Sequence, residues 1–167
     1  MKSEKTLSLK MGTLTLIYTS TIAVGVILPY LTHLIGGQSA GMMLLPLHLV
    51  ILTAGLLFGW EMGGFVGITL PIISFFLSGM PPLPILPQMI FELGIYGSLS
   101  GFFYKKLKWN IFISLLLSMI AGRFFLILYF TFLKNNFHPL WHQMLLGIPG
   151  ILLQIILIPL FFKLLKK

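Results

Sequence analysis

Apolar residues run along this chain in six long stretches, each separated from the next by a short cluster of glycine, proline, lysine or asparagine. A membrane-spanning helix needs about 20 largely apolar residues. The stretches at 11–31, 43–59, 62–78, 84–104, 109–133 and 142–163 come near that length. The breaks between them carry turn chemistry: glycines 36, 37 and 41 in the first, Gly59 and Gly63 around Trp60 in the second, Gly79 with Pro81 and Pro82 in the third. Lysines 105, 106 and 108 mark the fourth, and Asn135, Asn136 and Pro139 the fifth. The pattern predicts an all-α membrane protein: six transmembrane helices in a single domain over 1–167, with both termini on the same side. The run over 14–31 follows lysines, as a signal peptide would, but it is long and Thr-rich and no small-x-small cleavage site follows, so it reads as an uncleaved first span.

Composition agrees. The chain is 57% hydrophobic and 8% charged, with a mean hydropathy of +1.03. The formal net charge is +8. That excess could suggest nucleic acid, but its distribution points to no nucleic-acid partner. Lys2, Lys5, Lys10, Lys105, Lys106, Lys108, Lys163, Lys166 and Lys167 fall on the terminus side of a six-span topology. Lys134 alone falls opposite, and Arg123 lies within a span. Cytoplasmic loops of membrane proteins carry the Lys/Arg excess. Both termini are therefore expected in the cytoplasm.

Ionisable groups inside spans cost roughly 2.5–3.5 kcal/mol each on insertion scales, so those that persist tend to face a cavity or a partner. Depths counted along the six spans put His48, Ser74, Gln88, Glu92, Arg123, His142 and Gln143 in the outer half, with Gln154 near the middle. Side chains from five helices at one level predict a single outward-facing pocket. Arg123 suits an anionic group through its planar fork of donors. Gln88, Glu92 and His48 would orient polar groups, and Trp141 would stack on a flat ligand or anchor at the interface. A bare Glu92–Arg123 salt bridge would explain the two charges without any ligand, though not the histidines and glutamines at the same depth.

The first outer break, 33–41, has three glycines and no charge. It is expected to be a mobile loop over the pocket, with His33, Gly36, Gly37 and Gln38 as its ligand-facing residues. The prolines at 81, 82, 84 and 87 would hold the opposite rim rigid. Glycines 55, 59, 63 and 67 recur every four residues and predict a tightly packed hairpin. Thr15, Thr19 and Ala23 form a similar small stripe on the first span. It fits packing within the bundle and a face reserved for another membrane protein equally well.

Catalysis finds little support. There is no His-Glu-x-x-His and no Walker A motif, His138 and His142 are separated by Pro139, and no Gly-x-Ser-x-Gly surrounds Ser74. The chain contains no aspartate and no cysteine. No catalytic residue, metal or cofactor is expected, and any ATP hydrolysis would belong to partners.

Several segments taken together resemble the substrate-binding S component of energy-coupling factor (ECF) transporters. They are Gly36-Gly37, Leu45-Pro46-Leu47-His48, Ala54-Gly55-Leu56-Leu57-Phe58-Gly59, Gly67-Ile68-Thr69-Leu70-Pro71, Ser78-Gly79-Met80-Pro81-Pro82 and Phe91-Glu92-Leu93-Gly94-Ile95-Tyr96-Gly97. The similarity spans about 10–165 and is most specific over 36–101. It implies the six-helix S-component fold and capture of a vitamin or vitamin precursor under the first outer loop. It also implies docking, through the stripe on the first span, onto a coupling module of one transmembrane scaffold subunit and two ATPase subunits. Thr15 and Thr19 stand where that family usually has alanine. The Gly-Met-Pro-Pro and Phe-Glu-Leu segments look closest to the pantothenate type. Two other classes remain open: a structural six-span protein of the rod-shape-determining type, and a stand-alone secondary transporter.

Overall fold

Among the described residues every regular element is a helix. Backbone groups have no water to bond inside a bilayer, so long apolar runs must close their hydrogen bonds within themselves. The computed structural model describes the backbone of residues 2–134 and 138–165, and the side chains of residues 11–37, 39–132 and 141–165. Among these described residues seven α-helices follow in order: α1 (Lys2–Leu44), α2 (Pro46–Phe58), α3 (Trp60–Ser78), α4 (Leu86–Gly101), α5 (Ile111–Tyr129), α6 (His138–Leu146) and α7 (Ile148–Leu165). Short π-helical turns extend α4 over Phe102–Lys106 and α5 over Phe130–Lys134.

Five stretches are long and apolar enough to cross a membrane: Met11–Gly37, Ser39–Phe58, Trp60–Ser78, Ile111–Phe132 and Ile148–Leu165. The sixth expected span is α4, whose α-helical part has 16 residues and carries Gln88 and Glu92. The structure thus gives an all-α membrane architecture with five such helices among the described residues, not the six read from the sequence.

Two expected boundaries are corrected. The loop expected over 33–41 is instead helical on both sides of a two-residue corner. Gly36 (φ −138°, ψ 18°) and Gly37 (φ 64°, ψ −160°) leave helical geometry, and α1 resumes to Leu44. The positive φ at Gly37 is a conformation that a side chain disfavours. The turn then completes at Leu45, which is left-handed (φ 50°, ψ 52°), just before Pro46 opens α2. Gln154 on α7 donates from Nε2 to the Leu45 carbonyl at 3.2 Å and fixes this corner. The second correction is in the last span, expected unbroken over 142–163, which divides at Gly147 into α6 and α7. Gly147 and Pro149 explain the break, because one lacks a side chain and the other cannot donate into a preceding turn.

Glycine holds the centre together. The recurrence at 55, 63 and 67 packs α2 and α3 against α4, rather than only against each other. A methyl added at Gly63 would strike the Gly97 carbonyl, and one at Gly67 would strike the Leu93 carbonyl. At Gly55 it would strike both Ser100 and the Gly97 carbonyl. Gly97 and Gly101 on α4 complete the seam against Gly63 and Gly59. Gly59 itself turns the chain between α2 and α3 at φ 100°. Helix axes can approach this closely only where side chains are absent.

Burial grades outward from that seam. In the most apolar window of the span that contains α2, 56% of residues are buried, against 11% for α1. α1 is therefore peripheral. It contacts α3 through a hydrogen bond from Tyr18 to the Thr69 hydroxyl at 3.0 Å and through Leu70 packed over Gly25. The core is filled by Ile51, Leu52, Leu56, Val66, Leu70, Leu93, Tyr96, Leu115 and Ile158. Outside it, Leu16, Phe76, Leu77, Phe124 and Ile156 are exposed. An apolar surface of that extent suits lipid.

Candidate functional site: a cavity with buried polar side chains at one end of the bundle

The chain places the ionisable groups His48, Glu92 and Arg123 within the spans at the bundle end opposite the lysines of 105–108. His48 stands near the start of α2, Ser74 near the end of α3, Gln88 and Glu92 in the first half of α4, and Arg123 in the second half of α5. Antiparallel helices bring these positions to a common depth. They line a cavity of ≈ 120 Å³. His33 and Gly41 from α1, Gln143 from α6, and Met80, Pro81 and Pro82 from the α3–α4 connection also line it. The Met80–Pro81 peptide is cis.

Three polar contacts organise the walls. Arg123 Nη1 lies 3.1 Å from Glu92 Oε1, with the side chains 14% and 5% exposed. The same carboxylate oxygen accepts from the Tyr96 hydroxyl at 3.0 Å, one turn along α4. Across the cavity, Gln88 Nε2 donates to Gln143 Oε1 at 2.7 Å and ties α4 to α6. A pair of buried charges left in contact costs far less than either charge alone, which is why both ionisable groups persist here.

Among the described residues, three fully buried lining atoms have no partner: His48 Nδ1, His48 Nε2 and Ser74 Oγ. His48 Nε2 is 3.8 Å from Glu92 Oε1, too far for a hydrogen bond. The imidazole leans against the Tyr96 ring, centroids 5.3 Å apart. His48 is 4% exposed and Ser74 0%. Buried polar groups are nearly always bonded, so orphaned ones in a cavity wall need an explanation.

Of the residues singled out from the sequence, the structure brings seven to the cavity: Arg123, Glu92, Gln88, His48, His33, Ser74 and Gln143. Four are corrected. Trp141 and His142 are exposed and absent from the lining, because the break at Gly147 sets α6 apart from the span it was expected to begin. Gly36 and Gly37 form the corner in α1 and do not line the cavity. The Gln38 side chain lies outside the described residues. Gln154 is buried but spends its amide on Leu45. His33 is held by its Nδ1 at 2.7 Å from the Pro29 carbonyl, with Gly41 packed on its ring.

Sequence reasoning missed Tyr96, which bonds Glu92 without lining the cavity, and the apolar walls from Pro29, Met42 and Met89. The i, i+4 spacing of Glu92 and Tyr96 was a usable signal. The methionines had none, since nothing distinguishes a lining methionine from a lipid-facing one in a single sequence.

On α1, Thr15, Thr19 and Ala23 are exposed. Thr15 Oγ1 bonds to the Met11 carbonyl at 2.9 Å, and Thr19 Oγ1 to the Thr15 carbonyl at 2.9 Å. Their hydroxyls are satisfied on their own helix, so the face is small and effectively apolar. Among the described residues no cluster of histidine, cysteine, aspartate or glutamate is placed to hold a metal. Ser74 shares the cavity with His48 and not with the exposed His142.

This architecture defines a multi-pass, all-α membrane protein with a largely apolar cavity that carries a few buried polar side chains. A family model described as "5TMR of 5TMR-LYT", a five-helix membrane family, matches residues 48–167, and the chain belongs to that family. No curated protein matches the chain, and no solved structure does.

Proposed function

We propose that this chain is a membrane-embedded binding protein for a small polar nutrient. In this reading it acts as the substrate-binding subunit of an ECF-type importer for a vitamin or vitamin precursor, delivering its ligand to an ATP-driven coupling module. The single observation that carries the reading is the orphaned set of His48 nitrogens and Ser74 Oγ in a wall that also holds Arg123 and Glu92. A ligand with hydrogen-bonding groups would satisfy them. The bundle gains nothing in stability from leaving them bare.

Further features support the finer parts. The family match covers α2 to α7 and begins at His48. Counting α4 with its π-helical turn as a span makes five crossings in that region, and α1 then adds a sixth. Both termini fall in the cytoplasm of a bacterial cell by the lysine distribution. The cavity then opens outward, where a nutrient arrives. Thr15, Thr19 and Ala23 form the docking face for the transmembrane scaffold subunit, and two ATPase subunits hydrolyse ATP. The chain itself performs no chemistry on the ligand. Pantothenate is the ligand that the likeness over 36–101 brings forward.

The bare ion pair favours a purely structural six-span protein as the second reading, since Glu92 and Arg123 are already in contact. A test that separates them is uptake into liposomes holding this chain together with an ECF coupling module. ATP-dependent accumulation of labelled pantothenate or another vitamin supports the proposal. Accumulation driven by an ion gradient without the module indicates a secondary transporter, and no accumulation of any vitamin favours the structural reading.

A further inference from the structure

The charge of the guest follows from the charges already in the wall. Among the described lining residues the formally charged ones are Glu92 and Arg123, and they are in contact at 3.1 Å. The pair presents no net charge to a guest. Gln88 and Gln143 are engaged with each other. Of the fully buried polar atoms described, those without a partner among the described residues are the two His48 nitrogens and Ser74 Oγ. A neutral imidazole offers one N–H donor and one bare acceptor, and a hydroxyl can do either. The complementary edge therefore has a donor and an acceptor side by side. A carboxamide has such an edge, and so does a ring with an exocyclic amine beside a ring nitrogen. A carboxylate has acceptors only. It would also bring a second negative charge next to Glu92 in a poorly solvated site, where like charges repel strongly. The remaining wall, with Pro29, Met42, Met80 and Met89, is apolar and suits a flat uncharged body.

We infer that the cavity selects a guest without net charge, carrying a paired donor–acceptor edge for His48 and Ser74, over the corresponding carboxylate. This rests on the binding reading above, and it ranks neutral ligands ahead of the pantothenate anion.

The test uses two matched pairs, nicotinamide with nicotinate and pantothenol with pantothenate, titrated calorimetrically into the full chain in lipid nanodiscs. The neutral member is expected to bind wild type at least about tenfold more tightly in one pair or both. Glu92→Gln frees the guanidinium and is expected to reverse that preference toward the acid. Arg123→Gln is the second arm, should the first variant fail to fold. It leaves the carboxylate alone and is expected to widen the preference for the neutral member, while the cation 3-(aminomethyl)pyridine gains affinity. Tighter binding of the acid by wild type overturns the inference and leaves the binding reading standing. So does a preference that neither variant moves. No binding of any of the four compounds by wild type or either variant overturns the binding reading, and this inference with it.

Discussion

Arg123 on α5 and Glu92 on α4 meet at 3.1 Å inside the bundle, and the same two side chains form part of the cavity wall. The contact is both a structural clamp and a constraint on what the cavity accepts. Breaking it from one side leaves a buried charge alone, which costs about 3–5 kcal/mol where the site is dry. Arg123→Ala and Glu92→Ala are each expected to lower the thermal midpoint in detergent markedly. The double variant Glu92→Gln with Arg123→Gln is expected to recover much of that loss. Thermal unfolding of the three proteins checks it, and strict additivity of the single effects would show that the pair does not act as a unit.

His48 tests function without testing stability. Its two ring nitrogens have no hydrogen-bond partner among the described residues, so replacing the imidazole by an apolar ring removes an unsatisfied group instead of a bond. His48→Phe is expected to leave the thermal midpoint unchanged or raised, in line with a relief of about 1–3 kcal/mol. Ligand affinity should fall at least about tenfold, since a donor or acceptor to the ligand is lost. Calorimetric titration beside a melting curve reads both quantities. A large loss of stability with affinity intact would contradict the placement of His48.

The glycine seam makes a prediction that has nothing to do with ligand. A methyl at Gly63 or Gly97 meets the backbone of the neighbouring helix, which cannot rotate away. Gly63→Ala and Gly97→Ala are each expected to destabilise by about 1–3 kcal/mol through overpacking. Gly12→Ala on α1, where nothing lies within 4 Å, is the control and should have little effect. Equal melting points for all three variants would mean that the helices are farther apart than the structure has them.

The corner in α1 distinguishes a bent helix from a loop. Gly37 sits at φ 64°, ψ −160°, a region that essentially only glycine enters, so Gly37→Ala and Gly37→Asn are each expected to cost about 1–3 kcal/mol. Single nitroxides placed along residues 39–44 should show restricted mobility with a helical repeat in accessibility. Uniform high mobility there would restore the loop expected from the sequence.

Most of the helices were legible because hydropathy and glycine or proline punctuation report where a chain can cross lipid. The stretch read as 62–78 became Trp60–Ser78, and that read as 109–133 became Ile111–Tyr129 with its π-helical turn. The corner at Gly36–Gly37 was harder. Two glycines mark a break but not its length, and the polar residues around them resemble a loop although they keep helical hydrogen bonding. The division at Gly147 was hidden for another reason: Leu146 and Ile148 are as apolar as their surroundings, so hydropathy does not register it. The site was legible through depth. Ionisable residues are costly in a span, and antiparallel counting put Glu92, Arg123, His48 and Gln88 at one level. Trp141 and His142 were misplaced because that counting assumed an unbroken last span. Which atoms remain without partners is decided by rotamers and helix rotation, and a sequence does not carry that information.

The central claim is that the cavity lined by His48, Ser74, Glu92 and Arg123 holds a small polar molecule. The most direct test is mass spectrometry of what the purified full chain releases on denaturation, run in parallel on wild type and His48→Phe. The account predicts one small polar species, near one per chain in wild type and depleted at least about tenfold in the variant. An empty wild-type protein that also fails to bind any added vitamin would contradict it, as would a species retained equally by both proteins.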